Sequence, residues 1–207
     1  MDTDLTQKIR RMYAAIGAAE EVDLTKLKGT VIENKNVTGV FQDFRGGRSN
    51  EQLENDVFTL INNIAFLRDH LIKWHVAQGL GETEARVKVD SELDSRPSIL
   101  IMRDLSNNEK HGYDASKRSF SGKHPKIVSV QRVLRMTTQP QKGSFVGMTL
   151  NRDGTPRIMG DGSAKAVTTG EIVDNSGNRL GDLNDLATEA VEGWEEIFRE
   201  FALKIGS

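Results

Sequence analysis

Residues 49–79 read SNEQLENDVFTLINNIAFLRDHLIKWHVAQG. Leu53, Val57, Leu60, Ile64, Leu67, Leu71 and Trp74 recur there with alternating steps of four and three, which places all of them on one helix face. Ser49 and Gln52 form a capping-box pair, each side chain satisfying a backbone donor that the helix start leaves free. Gly79 is the natural stop. One helix with an apolar seam of about six turns is predicted, and a seam that long needs partners along its length.

Other elements follow on either side. Leu5, Ile9, Met12, Tyr13 and Ile16 predict an amphipathic helix from about Leu5 to Glu20. Ala85, Val89 and Leu93 share a helix face within Glu82–Leu93. Ser95-Arg96-Pro97 opens a short apolar helix through Ile99, Ile101, Met102 and Leu105, closing at Gly112. Asp182 caps a final helix whose stripe is Leu183, Leu186, Ala190, Trp194, Ile197, Phe201 and Ile205. Residues 22–48 are rich in Gly, Asn and Asp and predict loop, with a short extended piece at Val37–Phe41. Residues 113–126 predict an exposed loop.

Beyond that loop the period changes to two. Strands are predicted at Val128–Met136 with a slip near Arg132, at Phe145–Leu150, at Arg157–Met159 and at Ala164–Val173. The turns Asp153-Gly154, Gly160-Asp161-Gly162 and Asn175-Ser176-Gly177 are hairpin chemistry and predict an antiparallel meander. The expected fold is α+β in a single domain over residues 1–207. It is mainly an up-and-down helical bundle (1–112 and 182–205) with an antiparallel β insertion over 126–180.

Composition narrows the function classes. The 207 residues are 37% hydrophobic and 28% charged, as in a folded globule rather than a disordered chain. With no cysteine, disulfides, thiolate metal sites and a cysteine nucleophile are excluded. Lys and Arg total 28 against 30 Asp and Glu, a net charge of -2, so nucleic-acid contact requires a local basic patch. The start carries no basic-then-apolar leader and nothing approaches a membrane-length apolar run, so a cytoplasmic location and no membrane partner are expected. No phosphate-binding lysine loop or dinucleotide fingerprint occurs. Arg45-Gly46-Gly47-Arg48 precedes a helix start and reads either as an anion cradle or, in glycine's commoner use, as a flexible turn. His70 and His75 are five apart, where a helical zinc site needs four; neither metal nor cofactor is expected.

Two arginine–histidine pairs are the candidate chemistry. Arg68 and His75 are seven positions apart, about two turns along nearly one face, with Asp69 beside Arg68. Arg103 and His111 bracket Asp104, Asn107, Asn108 and Lys110. The bland alternative makes Arg68 and Asp69 solvated surface charges and His75 a core-edge residue. Lys110 and His111 then simply favour the negative end of a helix dipole.

With Leu-Arg-Asp-His-Leu at 67–71 and Arg-Asp-Leu-Ser-Asn-Asn-Glu-Lys-His at 103–111, the chain resembles the HEPN superfamily of all-α domains. Its active members place four to six residues, a polar one first, between an arginine and a histidine. They act as metal-independent ribonucleases, usually across a dimer interface. The resemblance implies RNA binding or cleavage, in a bacterial stress or phage-defence setting. His111 would move the proton of the 2′-hydroxyl, Arg103 would stabilise charge on the phosphorane, and Asn108 would orient. Arg68, Asp69, His75, Asn107 and Lys110 would be further pocket members. Seven residues separate Arg103 from His111, whereas six separate Arg68 from His75. Expected partners are RNA, a second copy in a homodimer, or another protein. The competing expectation is a non-catalytic helical interaction module or homodimeric scaffold.

Overall fold

The computed structural model describes residues 3–27, 29–34, 37–114, 116–139 and 143–201. Helix α1 spans Thr3–Ala19 and runs into a two-residue strand β1, Glu20–Glu21. After a single 3-10 turn at Leu24–Lys26, Thr30–Asn34 (β2) and Val37–Phe41 (β3) pair antiparallel. The extended piece expected at Val37–Phe41 is therefore present. Its partner strand β2 corrects the reading of residues 22–48 as otherwise loop, and β1 ends the first helix at Ala19, one residue before the expected Glu20.

The long seam folds as two helices, α2 (Asn50–Ala65) and α3 (Leu67–Ala77), where one was expected. The capping box forms: Gln52 N–H donates to Ser49 Oγ, and Ser49 N–H to Gln52 Oε1. At Phe66 the ladder tightens, since Asp69 N–H donates back to the Phe66 carbonyl three residues earlier, a 3-10-type contact. On either side of this break, α2 packs against α1, α5 and α6, while α3 packs against α1 and α4. Helices α4 (Glu82–Leu93), α5 (Pro97–His111) and α6 (Leu183–Glu200) lie where the apolar spacing puts them. Asp182 accepts from Asn184 N–H as the α6 cap. Ile205, expected to extend the α6 stripe, lies outside the described residues.

Strands β4 (Lys126–Thr137), β5 (Val146–Leu150), β6 (Pro156–Gly160), β7 (Ser163–Val173) and β8 (Arg179–Asp182) complete the chain. The expected meander is corrected. Strand β4 pairs along most of its length with β7; β1 and β8 take successive halves of β7's other edge, and β5–β6 is a separate hairpin. Glycine permits this crossing. A Cβ on Gly162 would lie 2.6 Å from the Thr137 carbonyl oxygen, and one on Gly160 (φ 97°) would collide with that of Phe145. The slip in β4 falls between Val128 and Gln131, at left-handed Ser129 (φ 55°), a few residues before its expected place near Arg132.

The architecture is α+β with antiparallel sheets. All six α-helices and Ile172 of β7 contribute to one core, with Trp194 and Phe198 of α6 among its largest fully buried side chains. Trp194 Nε1 donates to the Ile64 carbonyl at 3.1 Å, tying α6 to the end of α2. Among the described residues no helix is long and apolar enough to cross a membrane.

Candidate functional site

The candidate site is built on one helix. Pro97 at the start of α5 costs no hydrogen bond there, and Ile99, Ile101, Met102 and Leu105 turn inward. Arg103, Asn107, Lys110 and His111 then fall in one stripe on another face, spaced by four, seven and eight positions.

Asp104, 4% exposed, is the anchor. Its carboxylate accepts from Ser119 Oγ (2.7 Å), Phe120 N–H (2.7 Å), Ser121 N–H (2.9 Å) and Ser121 Oγ (2.6 Å). A buried carboxylate so saturated with donors fixes whatever carries them, here the segment that follows α5. Two further ties reinforce it: Asn108 Nδ2 donates to the Pro125 carbonyl at 3.0 Å, and Tyr113 Oη to that of His124 at 3.3 Å.

The pinned segment and α5 enclose two adjoining recesses. The first, about 170 Å³, is lined by Phe66, Arg68, Asp69, Arg103, Asn107, Lys110 and Phe120, among others. Arg68 donates through Nε and Nη2 to both oxygens of Asp90 at 2.6 Å, and through Nη1 to Asp69 at 2.9 Å. Arg103 approaches the same Asp90 at 3.7 Å, with its guanidinium 3.8 Å from the centroid of the Phe120 ring. Burial pulls the Arg103 pKa below its ordinary value, and the Arg68 charge adds to the effect. Burial pushes the Asp90 carboxyl up, but hydrogen bonds from Arg68 and the charges of Arg68, Arg103 and Arg86 bring it below the usual range. Hydrogen bonding to Asp90 raises Arg68. Arg68 and Arg103 thus share Asp90 while Arg68 also holds Asp69, so two carboxylates meet the two guanidiniums and Lys110 is the further cation of this recess.

The second recess, about 220 Å³, is lined by Asn107, Asn108, His111, Lys117, Arg118 and His124, with Asp104 and Asp114. His111, Lys117 and Arg118 are exposed around it. Asn107 borders both recesses.

No family model, curated protein or solved structure matches this chain. Function therefore rests on the chemistry of the site itself.

Arg103 and His111 open into different recesses, joined through Asn107 rather than converging within one chain. Asn108 lines the second, with its amide donor already engaged by Pro125. Arg68, Asp69 and Lys110 belong with Arg103; Lys110 Nζ rests 3.8 Å from the Phe66 ring centroid. His75 does not join them. It is 4% exposed, with its ring edge-on to Trp74 and Phe201 at 4.8 and 4.7 Å. Arg68 and His75 are thus not brought together as the spacing predicts: both lie on α3, but Arg68 turns to Asp90 of α4 while His75 faces the core. Sequence reasoning missed Asp90, Lys117, Arg118, Phe120 and His124. The signal for Lys117, Arg118 and His124 was the local charge, since residues 109–126 hold five Lys and Arg against two Asp and Glu. Among the described residues no three His, Asp or Glu side chains are grouped to hold a metal ion.

Proposed function

We propose that this chain is a HEPN-like protein that binds single-stranded RNA along α5 without a metal ion. The observation carrying this reading is the second recess, where exposed His111, Lys117 and Arg118 surround a hollow large enough for a phosphate group. Residues 109–126 carry an excess of three positive charges (five minus two) in a chain of net charge -2, which supports phosphate attraction; at the recess itself Lys117 and Arg118 stand with Asp104 and Asp114, Lys117 Nζ lying 4.0 Å from Asp114. Tyr113 stands 37% exposed beside it, with Lys126 Nζ 4.0 Å from its ring centroid, and offers a stacking surface for a base.

In the catalytic form of this reading, His111 takes the proton of a ribose 2′-hydroxyl as that oxygen attacks phosphorus, the P–O5′ bond breaks to leave a 2′,3′-cyclic phosphate, and the departing 5′-oxygen takes a proton from water, while Lys117 and Arg118 offset the phosphate charge. Arg103 reaches the same phosphate only from a second copy across a two-fold axis. Within one chain it positions the loop through Phe120.

Fluorescence anisotropy with a labelled single-stranded RNA in EDTA tests the binding. We expect affinity to fall with salt, with a log–log slope of roughly -2 for three phosphate contacts. The double substitution Lys117→Glu and Arg118→Glu should weaken it about tenfold or more. Unchanged affinity in that variant, or no binding by wild type at low salt, contradicts the reading. His111→Ala should retain binding and lose any metal-free cleavage.

A further inference from the structure

A second cationic centre lies away from α5. Arg132, on β4, is 8% exposed. Its Nη1 donates to the Arg45 carbonyl at 3.4 Å, while Nε and Nη2 have no hydrogen-bond partner among the described residues. Opposite it on β7 stands Thr168, 1% exposed, whose Oγ1 is likewise without a partner. Directly paired residues of an antiparallel ladder project to the same face, so Arg132 and Thr168 stand side by side on one face of the sheet.

This pair lies beneath the turn leading into α2. Gly46 and Gly47 both adopt left-handed backbone (φ 62° and 79°), and a Cβ on Gly46 would sit 3.7 Å from Arg132 Nη1. The turn leads into the N-terminus of the 16-residue α2, an end that favours negative charge. Nearby carboxylates are engaged elsewhere. Asp43 accepts from Arg45, Asp56 pairs with Arg48, and Glu21 accepts from Asp23 N–H and Lys26. Burial lowers the Arg132 pKa and Arg48 adds repulsion, against partial relief from Glu21 and Asp56. A buried guanidinium without a bonded counter-charge is strongly unfavourable, so the site is built for a negative ligand.

We infer that Arg132 and Thr168, beneath the Arg45–Arg48 turn at the α2 N-terminus, form a binding site for a small oxyanion of the phosphate class, admitted when the two-glycine turn lifts. Guanidinium Nε and Nη2 offer the parallel pair of donors that a tetrahedral oxyanion accepts. The Thr168 hydroxyl supplies a third, and Arg48 offsets charge from outside.

Thermal denaturation in inorganic phosphate, against chloride at matched ionic strength, tests the site. Phosphate at ten times its dissociation constant should raise the wild-type Tm by roughly 3–5 °C. Arg132→Met, which fills the space without a charge, should abolish the shift, and Thr168→Val should weaken phosphate binding several-fold in calorimetric titration. If Arg132→Met does not fold, the Thr168→Val titration decides alone. The Lys117→Glu and Arg118→Glu variant should keep the full shift, which separates this site from the α5 recess. A wild-type Tm that phosphate leaves unmoved overturns the inference and leaves buried water as the partner of Arg132. So does an equal shift in a folded Arg132→Met protein, or unchanged phosphate affinity in Thr168→Val.

Discussion

His75 shows how a single buried group sets a pH dependence. Its Nε2 has no hydrogen-bond partner among the described residues, and aromatic rings meet it from α3 and from Phe201. Burial holds its pKa below the ordinary 6.5, and the Lys88 charge pushes the same way. On unfolding, the imidazole regains water and its ordinary pKa. Below pH 6.5 the unfolded chain therefore binds a proton that the folded chain refuses. The contribution is complete above that pH and is lost as pH falls from 6.5 toward the folded-state value. His75→Phe keeps the ring contacts and removes the proton. Urea denaturation one pH unit either side of 6.5 should show wild type losing more stability than the variant on acidification, up to the ceiling of about 1.4 kcal/mol for one proton. Parallel pH profiles for the two proteins contradict this account.

Among the elements, α5 and the segment behind it act as one unit. Asp104 is the joint, because four donors from residues 119–121 end on its two oxygens. Phe120 is thereby laid over Arg103, and the segment carrying Lys117 and Arg118 is held against the helix. Asp104→Ala leaves those donors without an acceptor and should cost about 3 kcal/mol by urea denaturation. Amide exchange at Phe120 and Ser121 should accelerate with it, and RNA affinity should fall although neither cation has been touched. Exchange at those two amides equal to wild type excludes this joint. The break at Phe66 is a second element-scale feature. It lets α2 face α5 and α6 while α3 faces α4, so Arg68 meets Asp90 of α4 rather than a histidine on its own helix.

Over the whole molecule, legibility follows locality. The positions of α1, α4, α5 and α6, the Ser49 and Asp182 caps and the Gly112 stop are set by neighbours within a few residues, and the sequence displays them. Strands β4 to β7 are visible as period-two runs. Their pairing is not, because it depends on close approach at Gly160 and Gly162 to residues up to 25 positions away. Residues Thr30–Asn34 escaped notice because their only apolar members, Val31 and Ile32, are adjacent rather than alternating. In the site, Arg103, Asn107, Lys110 and His111 share a stripe that helical spacing reveals. Their division between two recesses comes from Asp90, Asp104 and the 116–124 segment, which only the folded chain brings beside α5. Arg132 is harder still to find, since nothing in an alternating strand marks one arginine as buried.

RNA, as we propose, sits in the recess between α5 and the pinned segment. Hydrogen exchange of the full chain, with and without a saturating single-stranded RNA, locates the contact directly. The account predicts slowed exchange in peptides covering residues 107–124, with the β2–β3 and β5–β6 hairpins unchanged. Protection confined to the hairpins, or none anywhere under conditions where anisotropy reports binding, contradicts it.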